Sequence, residues 1–600
     1  MTEQLLISVM LAAPAVGWIL VVAMPAWRHT TIAAATGLAG TASAAWIVCS
    51  IAGMIESSVS VSAGRWLEVS PELGLTVNLS FQADQPRCML VLAASLILLL
   101  KNAGTARSKI NGEGESALLY PLSIAAILAA DLVVLAGIWI LIDCCVVGLL
   151  TDRSRSTAKS RRTLNTAIVL GGSGALLLVA TLIAMARFNT SDIGSIVNRS
   201  VEDGRVDATT VASGLSVLFV AAVAVRSAFF PALIWPRTCL RARPRDAGVV
   251  VALAGILPGL ALAIAVFPLS AVSVDAFRLL GLLGVLTSFT ATGVALVQKD
   301  SDRVAALLSV SAAGLAASVF AASLPSCGAI AACTLFTQLV AIFVLRRDHV
   351  VFGRGIAFGI AMLIAATGIG GSNAILSVIE SSLQAGPNGT SVAVSDRLLL
   401  MAWWGILISQ ILWGIAIVKL VMSQPSRESG RGPDASQRHS AKCSTIASVA
   451  ATIAACIAVF ACVMPLAVPE TGDASPTRLL TFGAATPACL LGMVAAWLLL
   501  QAGEKVRRRV AVSLDSLTRL CVEWFYLEDA VRCGLVLPIR GLAMLTEICD
   551  RKILGGTSEH GWKKFPVRIA GSIENLRFQP AVYYGLTGVF LIVGLLWSLR

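Results

Sequence analysis

The chain has 600 residues, 57% of them hydrophobic and only 13% charged, and a mean hydropathy of +0.83. A soluble domain carries about 25% charged residues, so this chain lacks the polar side chains to cover a water-exposed surface. The composition excludes a soluble enzyme, a disordered protein and, despite a formal net charge of +12, a nucleic-acid binder. It predicts a polytopic membrane protein whose surplus Lys and Arg record topology.

The first apolar run, 5–24, has no basic segment before it and reads as a spanning helix rather than a cleaved signal peptide. A helix needs about 20 apolar residues to cross the hydrocarbon. On that measure the expected spans are 5–25, 31–54, 84–101, 115–130, 131–151, 164–187, 211–235, 247–268, 277–298, 303–323, 326–345, 355–380, 397–421, 444–467, 478–502 and 580–599, sixteen in all. The apolar run 117–150 is long enough for two helices with almost no loop. Between the second and third spans, residues 56–83 alternate weakly around Gly64 and Pro71, which predicts a short external β-hairpin. Residues 503–579 are far more polar. They still carry Leu517, Leu520, Trp524, Leu527 and Val531 at helical spacing, which predicts a long amphipathic lateral helix before a last span at 580–600.

Basic residues crowd one set of loops, as at Arg153, Arg155, Lys159, Arg161 and Arg162, and again at Arg237, Arg241, Arg243 and Arg245. The alternate loops hold few, such as Arg187, Arg199 and Arg278. The bias keeps one parity, so both termini are expected on the non-cytoplasmic side of a bacterial-type inner membrane. The 14 Cys contain no CxxC pair. Iron–sulfur and zinc sites need clustered thiolates, so the cysteines read as small core residues.

Three segments resemble motifs of the proton-pumping antiporter-like membrane proteins. Residues 128–139, Leu-Ala-Ala-Asp-Leu-Val-Val-Leu-Ala-Gly-Ile-Trp, resemble the family's helix that ends in Gly-Trp-Glu. Residues 224–235, Ala-Val-Arg-Ser-Ala-Phe-Phe-Pro-Ala-Leu-Ile-Trp, resemble its broken helix. Residues 295–309, which contain Gln298, Lys299, Asp300, Asp302 and Arg303, resemble its polar inter-helix turn. Trp524-Phe525-Tyr526 and Phe578-Gln579-Pro580 resemble the C-terminal extension of one branch, subunit L (chain 5) of NADH:quinone oxidoreductase, respiratory complex I. The resemblance implies an antiporter-like core at 115–421, with inverted repeats near 115–268 and 277–421. N-terminal spans at 1–114 precede it, and two accessory spans at 422–502 follow. It also implies a membrane subunit that contributes to proton translocation, with no redox site on this chain. NADH, FMN, Fe–S clusters and quinone are then expected on other subunits of the complex. The partners are those membrane subunits, contacted through the lateral helix 503–579, and the lipid bilayer.

Proton translocation needs ionisable groups inside the bilayer, where they are expensive and therefore informative. The family's glutamate after Gly-Trp is Ile140 here, and Asp143, three residues on, is the substitute acid. Arg226 stands at the lysine of the broken helix. Arginine stays charged where a buried lysine can release its proton, so the expected role is electrostatic pairing with Asp143. Pro231 marks the helix break. Gln338 replaces a mid-chain lysine, while Ser372 and Asn373 replace a Lys-Asp pair. Such side chains relay protons through hydrogen bonds but store no charge at neutral pH. Lys299 and Asp302 are candidates for the mouth of a half-channel. Two alternatives stay open: a degenerate, non-pumping scaffold subunit, and a subunit of a related cation/proton antiporter or carbon-uptake complex.

Overall fold

The structure, a computed structural model, describes residues 2–23, 28–51, 53–54, 56, 58–70, 75–105, 113–150, 157–206, 210–242, 244–322, 327–348, 394–422, 485–501, 504–513 and 515–522. The expected spans 355–380, 444–467 and 580–599 lie outside them, as does most of the predicted lateral helix. Two compact units divide the chain, Met1–Ser513 and Leu514–Arg600.

In chain order the first unit contains α1 (Thr2–Ala23), α2 (Arg28–Ile51), β1 (Ser58–Ser70), β2 (Leu75–Asp84), α3 (Gln85–Thr105), α4 (Glu113–Leu128), α5 (Leu132–Leu150), α6 (Thr157–Phe188), α7 (Ile193–Val206), α8 (Thr210–Arg226), α9 (Ile234–Ala242), α10 (Pro244–Val251), α11 (Leu257–Val266), α12 (Val274–Val297), α13 (Ser301–Ser318), α14 (Cys327–Asp348), α15 (Val394–Met422), α16 (Ala485–Gln501) and α17 (Glu504–Ser513). In the second unit the described residues form α18 (Asp515–Val522), braced by an exposed ion pair between Arg519 and Asp515 at 2.7 Å. The chain is an all-α polytopic membrane protein. Among the described residues eight helical stretches are long and apolar enough to cross a bilayer, and α4, α8 and α14 supply shorter apolar helices. Outer helices expose large apolar side chains, such as Ile19 and Val22 on α1 and Leu178 and Leu182 on α6. Water would oppose such faces; hydrocarbon does not.

The layering has a physical cause. Helix α13 is alanine-rich, and its entire apolar stretch is buried inside the bundle. Small residues let its neighbours approach closely. Gly284 on α12 and Gly314 on α13 meet backbone to backbone, and a Cβ on Gly284 would sit 2.5 Å from the Gly314 carbonyl oxygen. This is the small-residue crossing expected where packing and hydrogen bonds, rather than water, drive helix association. Gly414 of α15 and Gly492 of α16 form a second such crossing.

The hairpin runs antiparallel from Ser58 opposite Asp84 to Ser70 opposite Leu75. It is tied to the corner between α4 and α5, where the Ala130 N–H donates to the Ser80 carbonyl at 3.0 Å. Residues 129–131 separate these two helices. Asp131, 1% exposed, accepts from the Val133 and Val134 N–H groups at 2.8 and 3.2 Å and from the Ser191 hydroxyl at 2.5 Å. It therefore caps α5 and joins the α6–α7 turn. Helix α7 was not expected from the sequence, which predicted a loop between 187 and 211. Its sparse apolar residues, Ile193, Ile196 and Val197, gather on one buried face, while the polar remainder hides it from a span search.

Candidate functional site

Helix α8 ends at Arg226 and the chain does not continue as a helix until Ile234. Pro231 supplies no N–H, and Ala228 sits at φ +60°, a conformation that costs an L-residue about 1–2 kcal/mol. The freed backbone groups find partners nearby. The Phe229 N–H donates to the Ala224 carbonyl at 2.8 Å. The Phe230 N–H donates to the Thr287 hydroxyl on α12 at 2.7 Å, and that hydroxyl donates on to the Leu283 carbonyl at 2.6 Å. Irregular backbone at membrane depth needs such substitutes for water.

Opposite the break, the line from α10 to α11 contains a π turn at Ala252–Ile256. A π turn disturbs the regular backbone ladder, and the Leu253 carbonyl accepts from the Ser123 hydroxyl of α4 at 2.6 Å. Gly255 and Gly259, one turn apart, let this line lie directly on the break. A Cβ on Gly255 would come within 2.7 Å of the Arg226 carbonyl oxygen and 2.8 Å of the Trp235 ring, and one on Gly259 would collide with the Ser227 hydroxyl.

The ion pair sits at this point. Arg226 Nη1 donates to Asp143 Oδ1, with the arginine side chain wholly buried and the aspartate side chain 13% exposed. Trp139 lies one turn before Asp143 on α5, and its ring centroid is 4.8 Å from Arg226 Cζ, a cation–π contact. Two consecutive turns of α5 thus hold one guanidinium, by a π face and by a carboxylate. On α6, Gly174 leaves room beside Asp143 Oδ2. Ile140, at the glutamate position of the resemblance, is 46% exposed. In this chain the inward face of α5 carries its acid three residues later.

The remaining sequence candidates lie apart from this pair. Gln338 is buried on α14, with neither Oε1 nor Nε2 hydrogen-bonded, and Thr334, one turn earlier, is buried with an unbonded hydroxyl. Lys299 is exposed in the turn between α12 and α13. Asp300 caps α13 by accepting the Asp302 N–H at 3.0 Å and pairs with Arg303 at 3.6 Å. Ser372 and Asn373 lie outside the described residues. Between α12 and α13, Ser311 bonds Ser288 at 3.0 Å and Thr292 at 2.7 Å, a buried hydroxyl triad. The Lys419 ammonium of α15 donates to the Leu296 carbonyl near the C-terminus of α12, where a helix dipole favours a cation. Sequence reasoning passed over Thr287, Ser227, Lys419 and the π turn. The spacing of Gly255 and Gly259 was the signal available for the close approach.

A polytopic helical bundle with a buried ion pair at a helix break is an antiporter-like membrane protein. Residues 129–345 match the family model described as NADH:quinone oxidoreductase/Mrp antiporter, transmembrane, so that stretch of the chain carries this family's domain. The fold agrees. The chain is similar over 99% of its length to 70% of a chain in the structure of the Mrp complex from Dietzia sp. DQ12-45-1b, at 17% identity and a TM-score of 0.59. It is similar over 82% of its length to 98% of a chain in the membrane-bound sulfane sulfur reductase, an archaeal respiratory membrane complex, at 15% identity and a TM-score of 0.51. Over 87% of its length it matches 99% of a chain in respiratory complex I from Thermus thermophilus with bound NADH, at 16% identity and a TM-score of 0.48.

Proposed function

We propose that the chain is a membrane subunit of a proton-translocating complex, an L-type subunit of an NADH:quinone oxidoreductase, and that it moves protons in response to chemistry on other subunits. The supporting observation is the Asp143–Arg226 pair, buried at a helix break inside a multi-pass membrane protein. Arg226 keeps its charge, so it works as a fixed counter-charge; Asp143 is the group that titrates. A proton arriving at Asp143 cancels the carboxylate and leaves the guanidinium unbalanced, which favours release of the bridge. Proton departure restores it. The chain itself holds no cofactor in this reading, and NADH, flavin, clusters and quinone belong to its partners. Those partners are other membrane subunits, reached through the lateral helix 503–579. The membrane is a bacterial-type inner membrane with both termini on the non-cytoplasmic side.

NADH-driven proton uptake in inverted vesicles is the test. Deleting the chain should lower the proton-to-electron ratio, and Asp143→Asn should lower it with the other subunits still assembled. An unchanged ratio after deletion would sink the reading. A second reading, a non-pumping scaffold, draws on the neutral Gln338 in place of a lysine. It expects that unchanged ratio together with loss of the complex on deletion. Cation-dependent proton exchange by the chain in vesicles without NADH would instead favour an antiporter subunit.

A further inference from the structure

The guanidinium of Arg226 is satisfied on one side only. Nη1 meets Asp143, but Nε and Nη2 are buried with no hydrogen-bond acceptor among the described residues. A guanidinium has five N–H donors and no acceptor. The next residue, Ser227, is also fully buried with an unbonded hydroxyl. Trp139 and Trp235 are both 0% exposed, and their indole N–H groups likewise have no acceptor. These residues share one place. The Trp139 ring lies under the guanidinium, and Trp235 and the Arg226 carbonyl both press on Gly255. Gly259, a turn further on, touches the Ser227 hydroxyl.

The imbalance has a sign. Of the unbonded groups at the break, only the Ser227 hydroxyl has a lone pair to offer; the others are pure donors. Leaving such groups unsatisfied in a low-dielectric interior is costly, most of all on a charged side chain. The ligand that completes the site must therefore bring lone pairs. Asp143 already balances the charge of Arg226, so an added anion would carry a net negative charge into the bundle at a high electrostatic cost. Water brings lone pairs without charge.

We propose that Arg226 Nε and Nη2 and the Ser227 hydroxyl anchor a cluster of internal water molecules at the break between α8 and α9, behind the Asp143–Arg226 bridge. The pair then has two unlike sides. The carboxylate side is partly exposed, and the guanidinium side is sealed by Trp139 and Trp235 against everything but this water. The consequence for transport rests on the proposed function: on opening of the bridge, Asp143 exchanges its proton with water held by Arg226, and no second titrating side chain is required there.

The test is radiolytic hydroxyl footprinting of the full-length chain in lipid nanodiscs, read by mass spectrometry. Internal water generates radicals where bulk solvent does not reach. Trp139 and Trp235 should be oxidised at least about threefold faster in the native chain than in the Asp143→Leu/Arg226→Met double variant, which removes both charges together. Equal rates in a double variant of native thermal stability would overturn the proposal. Where the double variant does not fold, Arg226→Lys, which keeps the charge with fewer donors, replaces it; unchanged tryptophan oxidation in that variant likewise overturns the proposal. A thermal midpoint that rises with chloride, at constant ionic strength against gluconate, would assign the site to an anion and also overturn it. Fast tryptophan oxidation in a chain that moves no protons in vesicles would leave the water site standing and remove the proposed function.

Discussion

The break between α8 and α9 and the middle of α14 solve the same problem differently. At the break, a buried cation is matched by Asp143, a tryptophan face and a hydroxyl-capped backbone. On α14, where the resemblance places a second cation, the chain has the neutral Gln338 and Thr334 instead. The first arrangement makes each partner depend on the other, because half a buried ion pair is far worse than none. The second makes no such demand, since a neutral amide can be exchanged for hydrocarbon. Among the sequence candidates placed within the described bundle, charge capable of responding to a proton is thus concentrated at the break, while α14 contributes polarity that stores nothing.

That contrast is most severely tested at Asp143. Asp143→Leu leaves the Arg226 guanidinium buried without a counter-charge and should cost about 3–5 kcal/mol, read as lost abundance in the membrane and a lower thermal midpoint in detergent. Asp143→Leu/Arg226→Met should recover most of that stability while abolishing any transport that depends on the pair. If the double variant is as unstable as the single one, the cost lies in packing around α5, and the charged break is not the distinguishing feature it is taken to be.

Smaller perturbations test whether the break is held as rigidly as its contacts imply. Gly255→Ala drives a methyl against the Trp235 ring and the Arg226 carbonyl, neither of which is the free end of a flexible chain. Overpacking of this kind costs about 3 kcal/mol at the upper end of its range, and it should lower the thermal midpoint without changing expression of neighbouring genes in the complex. Thr287→Val keeps the shape but removes the acceptor for the Phe230 N–H, for an expected loss of about 1–2 kcal/mol. Ser311→Ala, in the hydroxyl triad between α12 and α13, should cost only about 0.6 kcal/mol, the average for a hydrogen bond between membrane helices. Equal losses for Thr287→Val and Ser311→Ala in the same melting series would mean that the break is no more demanding than ordinary helix packing.

How far the sequence foretold these sites follows from what kind of signal each one leaves. Asp143 and Arg226 were legible because charge inside an apolar run is conspicuous, and the helical repeat placed Asp143 near the face of Trp139. The hairpin was legible from a weak alternation bounded by turn residues. The π turn was not, because Ala252–Ile256 is as apolar as its flanks and only the Ser123 bond to Leu253 betrays it. Thr287 was equally hidden: its role depends on a backbone N–H freed more than fifty residues earlier in the chain. Ala228 gave no warning either, since a left-handed residue is usually announced by glycine. Helix α7 escaped because its apolar residues are too few to register as a span.

Gln338→Leu is the mildest variant and sharpens the contrast from its other end. Gln338 is 1% exposed, and both ends of its amide lack partners among the described residues. A buried amide that makes no hydrogen bond lowers stability by about 1–3 kcal/mol, and a leucine of similar length carries no such burden. Against this gain stands the small misfit of a branched side chain in a site shaped for an unbranched one, typically under about 1.5 kcal/mol. The two nearly cancel, so the thermal midpoint should stay level or rise slightly. Proton translocation should persist, because a side chain that holds no charge gives up no storage site when it becomes apolar. A drop of several degrees would reveal a partner for the amide and make α14 a polar site in its own right. A level midpoint with translocation lost would do more: it would make a neutral relay on α14 indispensable and end the division between a responsive break and a passive second half.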